Sequence, residues 1–490
     1  MKGGWFVSAE QILSAVIDVL WGPPLLIGLL GTGLFFSLKT GFWQIRRLPD
    51  AFRHCFFPEK YGAVIDSQGG VLTPYHAASI AIAGAIGTGN IGGVASAISL
   101  GGPGAIFWMW VTALLGMITK MVEISLAVYY RDRKKDGSTW GGPTFYIEKG
   151  LGKKFKHWRI LAVIFGFGIF IQWVLSPETF TVAEAINEAT GWDTTALSVV
   201  YCVLVWVVVF GGLKNVAKFA AFMTPLMSIS YIACGLVILA LGANKLPSTF
   251  ALIFEHAFKP AAAVGGFAGA TFMLAARTGI SRSLFSNEAG WGLSPMASAT
   301  ARTAHPIEQG LWGILEVFVD TILVCTTTAL VIINTGEWSS GAAGATLTMR
   351  SFRAGLGSFG YYFVPAILFL FSWTTSTGWS TYFVTLIEHA FKNKPEKAAF
   401  WVKILWYLYP IPGLLLAIFI FRINLKLDFA WLFVDISTSL PTYVNLFALV
   451  CLSGTFMKLL KDYEGPRKLW GRENFLEADL DEVENASPGK

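Results

Sequence analysis

Residues able to hold a charged ligand inside an apolar medium are concentrated in three short stretches of this chain. The first reads Ala83-Gly84-Ala85-Ile86-Gly87-Thr88-Gly89-Asn90-Ile91-Gly92-Gly93. Each glycine costs a helix about 1 kcal/mol relative to alanine, so the run favours a local break. A break frees N–H groups on one half-helix end, which suit a carboxylate, and carbonyls on the other, which suit a sodium ion. Small residues also let membrane helices pack closely, but close packing leaves Thr88 and Asn90 unexplained. The second stretch, Gly265 to Gly279, repeats the glycine-rich logic and carries Arg277, with Arg282 just beyond. The third, Ser372-Trp373-Thr374-Thr375-Ser376-Thr377-Gly378-Trp379-Ser380, is a row of hydroxyls. Such hydroxyls can bond their own helix; facing the first break, they would complete an oxygen cage for a hard cation. Gln172, an amide on an otherwise apolar segment, could bind substrate or a neighbouring helix.

An arginine at membrane depth costs at least about 2.5–3.5 kcal/mol unless it is paired or wet. Candidate partners for Arg277 and Arg282 are Glu123, Glu288, Glu316, Asp320 and Asp435, and the sequence does not choose among them. Four cysteines (Cys202, Cys234, Cys325, Cys451) lie in apolar runs as small packers, and Cys55 stands alone, so no disulfide framework or metal spacing is present. The six histidines, His54, His76, His157, His256, His305 and His389, fall mostly in loops or at segment ends, where none is placed as a general base. An enzyme is therefore not expected.

These stretches must be positioned by apolar elements. Of the 490 residues, 54% are hydrophobic and 14% charged, with mean hydropathy +0.57, against about 25% charged in soluble proteins. A bilayer core needs about 20 apolar residues per helix. Eleven segments qualify, at 20–42, 75–98, 103–130, 158–175, 194–210, 215–242, 261–300, 308–333, 360–390, 400–421 and 429–457. The segment near Leu20 reads as a retained helix rather than a signal peptide. Segments 75–98 and 261–300 look broken. Setting the first helix and its basic loop (20–60) aside, the broken segments open two five-helix halves, 75–242 and 261–458. An odd number of helices per half places the halves in opposite orientation, the inverted repeat of many secondary transporters. The expected unit is thus one transmembrane domain, 1–460, followed by a polar tail, 463–490.

Net charge is +6, but the bases lie between apolar blocks instead of on an aromatic-bearing face, so nucleic acid is not expected as a partner. Counted in alternating loops, one side carries about 27 Lys and Arg and the other about 7. That bias puts the amino terminus outside and the carboxyl terminus in the cytoplasm of a multi-pass inner (plasma) membrane protein. Residues Ser176 to Asp193, with four acids and no base, read as an outward-facing segment.

Four blocks, 87–117, 141–152, 265–292 and 317–332, resemble the alanine or glycine:cation symporter family, and the likeness runs from about Gly22 to Thr455. The family is similar in fold to LeuT-type amino-acid transporters. The resemblance implies an all-α LeuT-type 5+5 inverted repeat with one extra N-terminal helix. It also implies alternating access with cotransport of sodium, or sometimes protons, and a small neutral amino acid such as alanine or glycine; lipid surrounds it and no obligate protein partner is expected. Carried over by motif, Thr88 and Gly89 would offer N–H groups to the substrate carboxylate, Asn90 would serve substrate or ion, and Gln172 is a further substrate contact. Thr271, Phe272 and Met273 would line the opposite wall. Sodium would take the carbonyls of Ala83 and Ile86, with Asn90 and the hydroxyls of Thr374 and Thr375. The chain departs from the family where Leu274 stands for a glutamine and Thr278 for a tryptophan. A cation channel or a non-transporting amino-acid sensor is the alternative.

Overall fold

The structure is a computed structural model, and it describes residues 16–57, 70–134, 137–258, 272–423, 425 and 427–465. Thr271, the opening of the second glycine-rich stretch and the tail beyond 465 lie outside the described residues. Nearly everything else is helical. In chain order the helices used below are α1 (Pro23–Lys39), α2 (Pro74–Ala85), α3 (Val94–Gly101), α4 (Ala105–Tyr129), α5 (Trp158–Val174), α6 (Glu178–Thr190), α7 (Thr194–Val209), α8 (Gly212–Leu241) and α9 (Leu246–Phe258). They continue with α10 (Phe272–Asn287), α11 (Ser294–Ser298), α12 (Pro306–Val317), α13 (Thr326–Thr335), α14 (Gly344–Ala390), α15 (Pro395–Leu408), α16 (Ile411–Arg422), α17 (Leu427–Cys451) and α18 (Ser453–Glu464).

Local chemistry sets the ends. Thr73 caps α2 by accepting from His76 N–H at 3.2 Å, with Pro74 following where a missing N–H costs nothing. Asp193 caps α7 through Ala196 N–H at 2.8 Å. Gly357, at φ 63°, divides α14 into a short arm and a long span. Among the described residues, eight helices are long and apolar enough to cross a membrane, or nine if α2 and the Gly89–Gly101 helix, bent by 46°, make one broken span. Thr194–Val209 is a shorter apolar helix. The outer surface is inverted relative to a soluble protein: Ile27, Val163, Phe222 and Ile229 are each about two-thirds exposed, an apolar girdle that only lipid covers without cost.

Within the acid-rich run after Ser176, Glu178–Thr190 forms α6, where Glu178, Thr179, Phe180 and Thr181 are buried and the helix packs on α14, α7 and α16.

The core closes around α2 and α3. Helix α2 lies against α8, α14 and α11, while the turn joining it to α3 lies against α10 and α14. Close approach depends on missing side chains. A Cβ on Gly279 of α10 would sit 2.2 Å from the Ala105 carbonyl oxygen at the start of α4, so these two backbones meet only because that position is glycine.

Candidate functional site

The first glycine-rich stretch is broken where expected. Helix α2 ends at Ala85, Ile86 turns to an extended conformation (φ −75°, ψ 98°), and a π-helical turn covers Gly89–Gly93 before α3 begins. Opposite it, a second π-helical stretch, Phe318–Cys325, joins α12 to α13, and the two π segments touch. Such bulges open the regular ladder and turn side chains inward.

Around the carbonyl end of the break, Thr375 Oγ1 stands 3.0 Å from the oxygens of both Ala83 and Ile86. A Cβ on Gly87 would lie 2.6 Å from that hydroxyl, so only glycine leaves it in place. These three oxygens are ligands of the type a hard cation takes. Thr374 does not join them; its hydroxyl donates to Leu370 and Phe371 of its own helix and to Met227 Sδ at 3.4 Å. One residue along a helix turns a side chain by about 100°, which separates the two threonines.

At the other end, Asn90 Oδ1 accepts from Gly87 N–H at 2.8 Å, while Nδ2 donates to Asp320 Oδ1 at 2.6 Å. Asp320 Oδ2 accepts from Ser286 at 2.8 Å and from Thr321 at 2.7 Å. Asn90 is therefore part of a second oxygen cluster and does not share the Thr375 one. Asp320 is fully buried and has no basic ion-pair partner among the described residues. Cys325, expected as an inert packer, has its sulfur 3.3 Å from Asn90 Nδ2 and 3.1 Å from Ser286 Oγ. Among the described residues, the N–H groups of Thr88 and Gly89 have no hydrogen-bond partner.

In the second segment expected to be broken, 261–300, residues 261–271 lie outside the described residues, and a break falls within the remainder. Phe272 to Asn287 is a regular helix, and the chain leaves helical geometry at Glu288–Leu293, where Glu288 takes φ 56°, Gly290 φ 95° and Gly292 φ 90°. A side chain at φ > 0 is strained, and Glu288 is held there: its Oε1 accepts from Trp379 Nε1 at 3.0 Å, and the same indole N–H lies 3.0 Å from the Gly84 carbonyl oxygen. Trp379 thus ties one break to the other. Protein side chains satisfy part of this break. Gly290 N–H donates to Glu123 at 3.1 Å, Ala289 N–H to Asn287 Oδ1 at 3.0 Å, and Asn445 Nδ2 to the Gly290 carbonyl at 2.9 Å. Beneath it, buried Lys120 pairs with Glu316 at 3.1 Å and donates to Ser294 at 2.8 Å.

Three expected contacts lie elsewhere. Phe272 packs edge-on against Trp108 with 5.5 Å between ring centroids and stays 41% exposed, and Met273 is 51% exposed. The side of α10 that meets the first break is its far end, where Phe285 and Ser286 lie against Gly89. Gln172 is buried but bonds Ser437 of α17. Thr88 instead sits beside Glu178, whose carboxylate accepts from Ser176 at 2.5 Å.

The two arginines take different partners. Arg282 forms a two-pronged pair with Asp435, at 3.2 and 3.1 Å, and Arg277 pairs with Asp18, which lay outside the expected set. Both line a cavity of about 340 Å³ with Trp21, Ser96, Leu274 and Thr278. The two positions that depart from the family pattern, Leu274 and Thr278, therefore border this cavity and not the first break.

The sequence profile of the sodium:alanine symporter family matches residues 6–476. The chain is 36% identical over 465 residues to the sodium/alanine symporter AgcS of Methanococcus maripaludis, covering 94% of this chain and 98% of that one. It is 34% identical over 462 residues to the probable sodium/glutamine symporter GlnT of Bacillus subtilis, covering 94% and 91%. Among solved structures, MhsT in complex with L-phenylalanine superposes with TM-score 0.55 at 14% identity, covering 83% of this chain and 95% of that one. A Na+-coupled sialic acid symporter gives TM-score 0.51 at 12% identity, covering 82% and 83%. These likenesses show the LeuT-type fold.

Proposed function

The chain belongs to the sodium:alanine symporter family, and from that premise we propose that it couples sodium entry to uptake of a small neutral amino acid, alanine or glycine, across the plasma membrane. Sodium-coupled amino-acid symport is the activity of the family; the choice of substrate and the site are our reading. The observation that carries it is the asymmetry of the first break. Unpartnered N–H groups at Thr88 and Gly89 adjoin two oxygen clusters, Ala83–Ile86–Thr375 and Asn90–Asp320–Ser286.

In this reading the N–H pole receives the substrate carboxylate and the oxygen clusters receive sodium. Phe285 and Ser286 crowd the glycine at 89, which favours a short side chain on the substrate. Asp320 supplies a fixed negative charge for a cation, in place of Thr374 in the expected ligand set. Bound sodium and amino acid then stabilise an occluded state, and rocking of one helix bundle against the other exposes the site to alternate sides. The cavity above Arg282 is the outer approach, and the Lys/Arg-rich face is cytoplasmic.

Uptake of a labelled amino-acid panel into proteoliposomes, with and without an inward sodium gradient, tests this. Gradient-driven, saturable accumulation of alanine or glycine at a fixed ion ratio is expected. Ion flux without a fixed ratio would identify a channel, and binding without accumulation a sensor.

A further inference from the structure

A groove of about 790 Å³ runs along the flank of the molecule between α5, the end of α14 and the start of α15. It is distinct from the breaks and from the outer cavity. Its volume lies within the roughly 300–1,000 Å³ of ordinary small-molecule sites, but its shape and chemistry are not those of a polar metabolite pocket.

One wall is a helical stripe of α5. Val163, Phe167 and Phe170, spaced by four and three residues, line the groove and are 68%, 59% and 49% exposed. They point toward bilayer, where exposure of this kind is stable. Gly166 lies within the same stripe, and a Cβ there would meet nothing within 4 Å, so the wall has a dent at mid-length. Arg159 and Trp173, both in the lining, are separated by roughly 21 Å of helix axis at 1.5 Å per residue. That exceeds the roughly 15 Å of one bilayer leaflet, so the groove extends from headgroup level to the depth of a chain end.

The upper end is basic. Arg159, Lys394 and Lys397 line it, and among the described residues none of the three forms an ion pair. The acid in the lining, Glu148, is already engaged by Lys392 and His389. Two helices also begin here, α5 at Trp158 and α15 at Pro395, and neither has a side-chain cap. At α5 the N–H groups of Trp158 and Ile160 are taken up by the Phe155 and His157 carbonyls at 3.2 and 3.0 Å, so these helix starts contribute the positive end of the helix dipole only. Three cations without an ion pair, Arg159 lying over the Trp158 ring at 5.6 Å, form the headgroup end, and an apolar trough open to the bilayer forms the other.

We propose that this groove binds one anionic phospholipid, its phosphate between Arg159, Lys394 and Lys397 and one acyl chain along Val163, Gly166, Phe167 and Phe170. A free phosphate has no use for the trough, and a zwitterionic lipid gains little from three unpaired cations. Each basic side chain near a membrane surface contributes about fivefold in affinity for an anionic headgroup, so the three together predict a preference of about a hundredfold.

Native mass spectrometry of the full chain in detergent, titrated with phosphatidylglycerol or with phosphatidylcholine of the same acyl chains, reads this without reference to transport. Wild type should retain phosphatidylglycerol at far lower concentration than phosphatidylcholine. Arg159→Gln/Lys394→Gln/Lys397→Gln should bring the two lipids to parity, while Gly166→Trp, which leaves the charges intact, should weaken retention of both. Lys245→Gln, outside the groove, should change neither. Equal retention of both lipids by wild type, an undiminished preference in the triple variant, or full displacement of phosphatidylglycerol by millimolar inorganic phosphate would each overturn the proposal. Thermal unfolding of both variants confirms that they are folded before they are scored.

Discussion

Asn90 Nδ2 lies 2.6 Å from Asp320 Oδ1, a hydrogen bond between residues 230 positions apart that fastens one π-helical turn to another. The carboxylate is buried, accepts from Ser286 and Thr321 as well, and lacks a basic partner among the described residues. Burying such a charge without compensation is costly, which makes it a fitting ligand for a transported cation. Asp320→Asn keeps the volume and removes the charge. Interactions with a charged group contribute about 1.5–3 kcal/mol, so the sodium concentration for half-maximal uptake should rise roughly 10- to 100-fold in proteoliposomes. A wild-type sodium requirement in this variant would remove Asp320 from the site.

Thr375 and Thr374 are neighbours with opposite assignments. Thr375→Val removes the hydroxyl that bridges Ala83 and Ile86 and leaves a buried carbonyl pair without its donor, at about 1–3 kcal/mol. Sodium affinity should fall about fivefold or more. Thr374→Val, whose hydroxyl bonds mainly its own helix, should stay within about twofold. Measuring sodium dependence in both variants decides the matter, and a reversed order would exchange their roles.

The first break was legible in the sequence because glycine opposes a helix regardless of surroundings, and the run from Gly84 to Gly93 has no competing signal. Thr375 was legible for the same reason: hydroxyl clusters in apolar spans are few. Asp320 could be listed as an intramembrane acid but not placed, since a π-helical stretch shifts register and sequence periodicity assumes a regular helix. In the second segment, 261–300, composition marked an interrupted span without naming the residues that interrupt its described part. The geometry is decided by Glu288, Gly290 and Gly292, where side chains of Glu123 and Asn445 satisfy a non-helical backbone. Phe272 and Met273 open α10 and are half-exposed, at the end of that helix away from the first break. Gln172 shows a different limit: a lone amide says that a partner exists but not on which helix. Contacts such as Arg277 with Asp18 depend on how α1 docks, and no local pattern encodes that.

The Arg282–Asp435 pair is two-pronged and mostly buried, with the Asp435 carbonyl also accepting from Trp21 Nε1 at 2.8 Å. Removing one member leaves the other charge uncompensated, at about 3–5 kcal/mol, whereas replacing both with apolar residues of similar volume can be neutral. Asp435→Ala should therefore lower the thermal midpoint in detergent by several degrees, and Arg282→Met/Asp435→Leu should recover most of it. A double variant no more stable than the single would mean that the pair is not the source of the loss.

Glu148, in the segment between α4 and α5, tests electrostatics outside the membrane. Partial burial pushes its carboxyl up, but the hydrogen bond and charge of Lys392, with His389 Nε2 2.9 Å away, outweigh this and hold it below the usual carboxylate range. A folded-state value below the unfolded one means that the group stabilises the fold above the ordinary glutamate pKa, about 4.3, and that this contribution fades as pH falls through the folded value. Solvent screening of a partly exposed pair keeps it to about 1 kcal/mol or less. Glu148→Gln should therefore lower the thermal midpoint by about 1 °C or less at pH 7. The difference from wild type should shrink as pH is taken below about 4. Thermal unfolding of both proteins across that range is the measurement. The difference between the two curves, not either curve alone, reports on Glu148. A gap that widens toward acid would show that Glu148 is held above its ordinary value instead, with burial outweighing Lys392.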